Sequence, residues 1–298
     1  MPTMQLSNGV QLAYDDHDKQ AEHAKQAEHA KHADQGEHDK HGDRDEHGTH
    51  GRASRIPLVL VHGHPFNRSA WDAQVAGFAA ERRVITFDLR GYGDSAVEEA
   101  PPVADFGDFA RDLEALLDRL GVERCVVGGV SMGGQIVLDA YARFPHRMAG
   151  LLLSDTSAGA ETPEGKVARN ELADRLLAEG MRGYTDEVLH KMVASYNEEA
   201  TERVRRMMLA SSPRGAAAAL RARAERPDYE AGLADVRVPV LVVVGRDDTY
   251  TPVAGARALS EALPDARLCV VERAAHLPNV ERPEEFNAAV RDWLAGIG

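Results

Sequence analysis

The chain has 298 residues, 43% of them hydrophobic, and a formal net charge of −13 at pH 7. That length and apolar fraction allow one large α/β domain or two smaller ones. The negative charge argues against nucleic acid or an anionic membrane as a partner.

Two cysteines, Cys125 and Cys269, lie inside apolar strand-like runs and read as buried free thiols rather than a disulfide. No apolar run is long enough to span a bilayer, and the N-terminus shows no basic stretch followed by an apolar core. The expectation is a cytoplasmic protein with no membrane attachment. Oligomeric state is not legible in the sequence.

Alternation over residues 4–14 with Asn8-Gly9 between predicts a β-hairpin. The composition then changes abruptly. Residues 15–53 contain no aliphatic or aromatic side chain larger than alanine, carry more acids than bases, and repeat the hexapeptide Lys-Gln-Ala-Glu-His-Ala. Such a stretch cannot bury enough apolar surface to offset the entropy of ordering, which predicts a disordered insertion within the core. Eight of the thirteen histidines fall here, every gap being three or six residues. Spacing of three can chelate a divalent metal from one helical turn, making His29, His32, His38, His41, His47 and His50 the candidate ligands. Against that, a three-residue step drifts around a helix and the tract is repetitive, which favours a solvated tract produced by repeat expansion.

From residue 57 strands and helices alternate. Strands are expected over 57–61, 83–88, 125–130, 148–154, 238–245 and 267–271, and helices over 71–80, 106–120, 132–144 and 283–294. The pattern predicts an α/β fold, a mostly parallel eight-stranded sheet with helices on both faces and catalytic groups at the C-terminal strand ends. Residues 157–235 break the rhythm with helical character and no strand. Thr162-Pro163-Glu164 is a helix start, and Val167, Leu172, Leu176 and Leu177 mark an apolar face. The organisation expected is a core of residues 1–156 plus 236–298, a helical cap over 157–235 and the insertion at 15–53.

Gly129-x-Ser131-x-Gly133 sits between strand 125–130 and helix 132–144, the pattern of a nucleophile elbow. The turn is so tight that only small side chains fit two residues either side of the serine. It lifts the Ser131 hydroxyl above the sheet edge at a helix N-terminus, where backbone N–H groups favour an oxyanion. A serine needs a base, and the base needs an acid to fix its tautomer. Outside the insertion the histidines are 62, 64, 146, 190 and 276. His276 alone follows the last strand, in a loop at the C-terminal sheet edge. Val242-Val-Val-Gly-Arg-Asp-Asp-Thr-Tyr-Thr-Pro252 offers Asp247 and Asp248 as the acid.

On Val61-His-Gly-His-Pro65, Asp88-Leu-Arg-Gly-Tyr-Gly-Asp-Ser95, Gly129-Val-Ser-Met-Gly-Gly134, Gly245-Arg-Asp-Asp-Thr-Tyr-Thr-Pro252 and Ala275-His-Leu-Pro-Asn-Val-Glu-Arg-Pro283, the sequence resembles the α/β-hydrolase superfamily. More narrowly it resembles the serine-nucleophile branch with 3-oxoadipate enol-lactonases, cofactor-free haloperoxidase/esterases and carboxylesterases. The resemblance spans the chain except residues 15–53. It implies Ser131, Asp248 and His276 as the triad, since the family's acid is the third residue after the glycine, with Asp155 as the alternative position. It implies the backbone N–H groups of His64 and Met132 as the oxyanion hole. It implies a small-molecule ester or lactone as substrate, cleaved through an acyl-enzyme, and no cofactor. Serine at 131 departs from the aspartate of dehalogenases and epoxide hydrolases, and Leu277 from the tryptophan that follows the catalytic histidine in some C–C hydrolases. Perhydrolase or haloperoxidase chemistry, or C–C cleavage, remains open on the same triad. So do two other classes, a ligand sensor on the hydrolase fold and a metal-binding role for the His-rich tract.

Overall fold

The computed structural model describes residues 2–18, 55–95, 103 and 105–297. The candidate ligands His29, His32, His38, His41, His47 and His50 lie outside the described residues. The strands are β1 (Thr3–Gln5), β2 (Gln11–His17), β3 (Leu58–Val61), β4 (Val84–Phe87), β5 (Cys125–Val130), β6 (Met148–Ser154), β7 (Val240–Gly245) and β8 (Ala266–Val271). They form one sheet in the order β1-β2-β4-β3-β5-β6-β7-β8. β2 runs antiparallel to β1 and β4, and the pairings from β4 through β8 are parallel.

β2 extends to His17, three residues beyond the expected hairpin and into the stretch assigned to the insertion. Those residues pair with β4, Asp15 opposite Thr86 and His17 opposite Val84. Asp15 and Asp16 also meet Arg68 and Arg83, each at 2.7 Å. Composition hid this, because a strand end held by backbone bonds and ion pairs needs no apolar side chains.

The central strands are buried on both faces, and their side chains alternate between two cores. Val59, Val61, Ile85, Phe87, Val127, Leu151, Leu153 and Val242 pack on one face. Leu58, Leu60, Val84, Val126, Leu152, Leu241 and Val243 pack on the other. Helix α1 (Asp72–Phe78) covers the second face, and α2 (Gly107–Arg119) and α3 (Met132–Arg143) the first. Cys125 is buried as expected, whereas Cys269 on the outermost strand is only partly so; neither is paired.

Between β6 and β7 stand four helices with no strand: α4 (Pro163–Glu179), α5 (Met181–Met192), α6 (Glu198–Ala210) and α7 (Pro213–Ala224). Thr162 caps α4 by accepting from Gly165 N–H at 3.0 Å, and Ser212 caps α7 in the same way. The apolar face of α4 is narrower than expected. Leu176 is buried and Leu172 partly so, but Val167 and Leu177 are 58% and 48% exposed. At 100° per residue, 172 and 176 share a face while 167 and 177 lie off it. After these four helices, α8 (Val253–Ala262) follows β7, and α9 (Pro283–Leu294) packs against the second face through Phe286, Val290 and Trp293. Among the described residues no helix is long and apolar enough to cross a membrane.

Candidate active site

Ser131 stands between β5 and α3, at the N-cap of the helix, with φ 57° and ψ −118°, a positive φ that a side-chain-bearing residue adopts only under constraint. The constraint is visible in its neighbours. Ser131 N–H donates to Ser154 O at 2.8 Å, and Ser131 O accepts from Thr156 Oγ1 at 2.7 Å and Gly134 N–H at 3.0 Å. A Cβ at Gly129 would stand 2.2 Å from the Gly133 carbonyl carbon, and one at Gly133 would stand 2.2 Å from Val61 O. The two glycines are therefore demanded by backbone packing.

His276 follows β8, and its Nδ1 lies 2.8 Å from Asp248 Oδ2. Both residues are 4% exposed. Asp248 Oδ1 accepts from the N–H groups of Tyr250 (2.7 Å) and Thr251 (3.1 Å), and Oδ2 accepts from Thr251 Oγ1. Burial opposes ionisation of Asp248, but the hydrogen bonds from His276 and Thr251 outweigh it and hold the carboxyl well below the usual carboxylate range. Ionised Asp248 accepts a hydrogen bond from His276 Nδ1–H, and in that tautomer Nε2 carries the lone pair. Asp247 points elsewhere and is bonded by Tyr196 Oη.

Asp155, the alternative acid position, is also buried but accepts from Gly245 N–H (2.9 Å) and Ser154 Oγ (2.6 Å). Burial first, then the neighbouring Asp248 charge, pushes its carboxyl well above the ordinary range. Their surroundings push the two carboxyls in opposite directions, Asp248 down and Asp155 up. Atoms of Asp155, Asp248 and His276 lie within 4.8 Å of one another, a grouping that metals use, but their hydrogen bonds to each other and to Ser154, Gly245 and Thr251 account for it.

The loop after β3 approaches the serine from the other side. A Cβ on Gly63 would meet Val130 O at 2.7 Å and Ser131 Cβ at 3.1 Å, so the backbone next to His64 lies against the nucleophile position. Met132 is the first residue of α3, and its N–H has no acceptor within that helix. His62 is a clamp: its Nε2 accepts from Leu89 N–H at 3.0 Å, which puts the proton on Nδ1, donated to Gly63 O at 2.8 Å. The His64 ring contacts Tyr92 Oη at 2.7 Å through Nδ1, while its buried Nε2 has no hydrogen-bond partner among the described residues. Burial, then Arg223 and Arg169, lowers the His64 pKa well below its ordinary value, so the ring is neutral. His146 lies exposed in a turn before β6, and His190 is exposed on α5.

A cavity of about 870 Å³ lies between the C-terminal strand ends and helices α4, α5 and α7. Ser131, His276, Asp155 and His64 line it from the sheet side, and Arg169, Tyr184 and Arg223 from those helices. The structure thus gathers Ser131, Asp248, His276, His64 and Met132 at one sheet edge. Sequence reasoning missed Tyr92, which supports His64; Thr251, which holds Asp248; and Gln135 and Arg223, which bond to each other at 2.8 Å. Tyr92 lies in the quoted Asp88–Ser95 motif and Thr251 in the Gly245–Pro252 motif. Gln135 and Arg223 carried no signal.

Residues 58–289 match the alpha/beta hydrolase family. The chain belongs to that family. It is 30% identical over 246 residues to a 3-oxoadipate enol-lactonase of Acinetobacter baylyi, covering 81% of this chain and 90% of that protein. It is 31% identical over 260 residues to a pimeloyl-[acyl-carrier protein] methyl ester esterase of Aromatoleum aromaticum, covering 82% of this chain and all of that protein. Among solved structures, a thermophilic esterase from Thermogutta terrifontis superposes with a TM-score of 0.83 at 30% identity, over 99% of this chain and 98% of that one. The protein is an α/β-fold hydrolase, related to lactonases and esterases.

Proposed function

We propose that this hydrolase cleaves a small carboxylic ester or lactone with Ser131, His276 and Asp248 as its triad. The observation that carries the reading is the 2.8 Å His276–Asp248 hydrogen bond beside the cavity into which the strained Ser131 is turned. Ser131 Oγ attacks the carbonyl carbon while His276 Nε2 takes its proton, and Asp248 stabilises the imidazolium. The N–H groups of Met132 and His64 receive the oxyanion, where each such donor is worth about 3 kcal/mol in the transition state. His276 then protonates the leaving oxygen, and a water deprotonated by the same nitrogen releases the acid. Relatives named as an enol-lactonase and a methyl ester esterase support carbonyl–oxygen cleavage as the reaction type. The core and cap boundaries expected from the sequence, residues 1–156 with 236–298 against 157–235, fit this division of labour. Hydrolysis of p-nitrophenyl acetate tests it: wild type turns over, Ser131→Ala does not, and a Ser131→Ala variant with full activity would refute the assignment.

A further inference from the structure

Where the cap closes over the cavity, charged side chains from three segments converge. Glu161 precedes α4, Arg169 lies on α4, Arg223 is on α7 and Arg226 follows it, and all four line the cavity. Arg169 Nε donates to Glu161, and Arg226 Nη1 lies 3.6 Å from the same carboxylate. One acid therefore serves two arginines. Arg223 makes no ion pair among the described residues, its Nε donating to the neutral amide of Gln135. Glu187 on the lining is engaged by Arg175 at 2.8 Å, and Glu171 and Glu230 make no ion pair with the cluster. Three guanidinium groups against one carboxylate leave an excess of positive charge in a chain of net charge −13.

Two further observations indicate that the excess lacks a counter-ion. Arg226 is 6% exposed, and although its Nη2 donates to Gly159 O, its Nε and Nη1 have no hydrogen-bond acceptor among the described residues, an unfavourable state for buried donors. Burial, then Arg169 and Arg226, pushes the pKa of Arg223 down to about 9. A guanidinium still keeps its proton at neutral pH. The cluster is also close to the chemistry. Gln135 is one helical turn beyond Ser131 on α3, and the Arg223 charge acts on both His64 and Tyr184.

A planar cation lining the same cavity as the nucleophile suits a carboxylate, which an arginine fork binds through two parallel N–H donors. We infer that the substrate is an ester or lactone carrying a second, ionised carboxylate group, which Arg223 and Arg226 hold while the scissile carbonyl lies at Ser131. The inference rests on Ser131 being the nucleophile.

Two matched pairs of esters test it. Mono-p-nitrophenyl glutarate against p-nitrophenyl valerate places the charge on the acyl side; 4-acetoxybenzoate against 4-acetoxybenzamide places it on the alcohol side. Wild type is expected to favour the charged member of at least one pair at least tenfold in kcat/KM, with glutarate a competitive inhibitor. Arg223→Met should reduce that preference at least tenfold and weaken glutarate, and Arg223→Lys should keep part of both. If Arg223→Met does not fold, the wild-type ratios, glutarate inhibition and Arg223→Lys decide. Ratios near one in both pairs with neutral esters turned over, or a preference that survives in Arg223→Met, overturn the carboxylate site and leave the triad standing. No turnover of any of the four esters overturns both.

Discussion

The two walls of the cavity are built in different ways. On the core side the turn that carries Ser131 is set by close backbone packing: Gly129 against Gly133, Gly133 against Val61, the loop of Gly63 against Ser131 itself. Asp248 is held by two N–H groups of its own turn, and Asp155 by the N–H of Gly245. On the cap side the lining is set by long side chains, Arg169 on Glu161, Arg175 on Glu187 and Arg223 on Gln135. Backbone contacts cannot be altered without moving the strand, whereas a side-chain pair can be exchanged alone. The proposed triad thus sits on the wall set by backbone, and the proposed carboxylate site on the wall set by exchangeable side chains.

Substitutions that separate the two walls should differ sharply in size. The largest effect is expected from Asp248→Asn, which keeps the shape but offers an amide in place of the ionised acceptor and disfavours the tautomer with Nε2 free. kcat should fall about 10⁴-fold, read in an ester assay, with circular dichroism unchanged. Gly133→Ala drives a methyl group against Val61 O and should destabilise the protein by about 3 kcal/mol or more in urea denaturation. If it is tolerated, the rigidity of the core wall is overstated.

The pH dependence of stability separates the two buried acids. Asp248 has a depressed native pKa, so it stabilises the fold above the ordinary carboxylate range and loses that contribution as pH falls toward its native value. Asp155 has a raised native pKa, so its contribution is complete below the ordinary range and is lost as pH rises through its native value. Asp155→Asn should therefore lose less stability than wild type between pH 5 and pH 9. Equal slopes in urea denaturation would mean that Asp155 is ionised. The smallest effect belongs to the cap rim: Arg175→Ala breaks a half-exposed pair with Glu187 and should change stability by no more than about 0.5 kcal/mol.

What the sequence made legible follows the same division. The strands buried on both faces announce themselves as apolar runs, and Cys125–Val130, Met148–Ser154 and Pro283–Leu294 fall where periodicity puts them. Ser131, His276 and Asp248 were readable because a tight turn, a loop after the last strand and a short acidic turn each leave local marks. β2 was cut short because Asp15, Asp16 and His17 look like solvated residues until Arg68, Arg83 and the β4 backbone are placed beside them. Arg223 was invisible for a similar reason. On α7 it reads as one more charged surface residue, and only the folded chain brings its side chain to Gln135 on α3. Pairings between distant segments leave no local signature.

The central claim, that Ser131 is an activated nucleophile, is tested most directly by intact-mass analysis after treatment with a fluorophosphonate. One covalent adduct per chain is expected on wild type, localised to Ser131 by peptide mapping, slowed in Asp248→Asn and absent in Ser131→Ala. An unlabelled wild type, or an adduct that persists in Ser131→Ala, would contradict it.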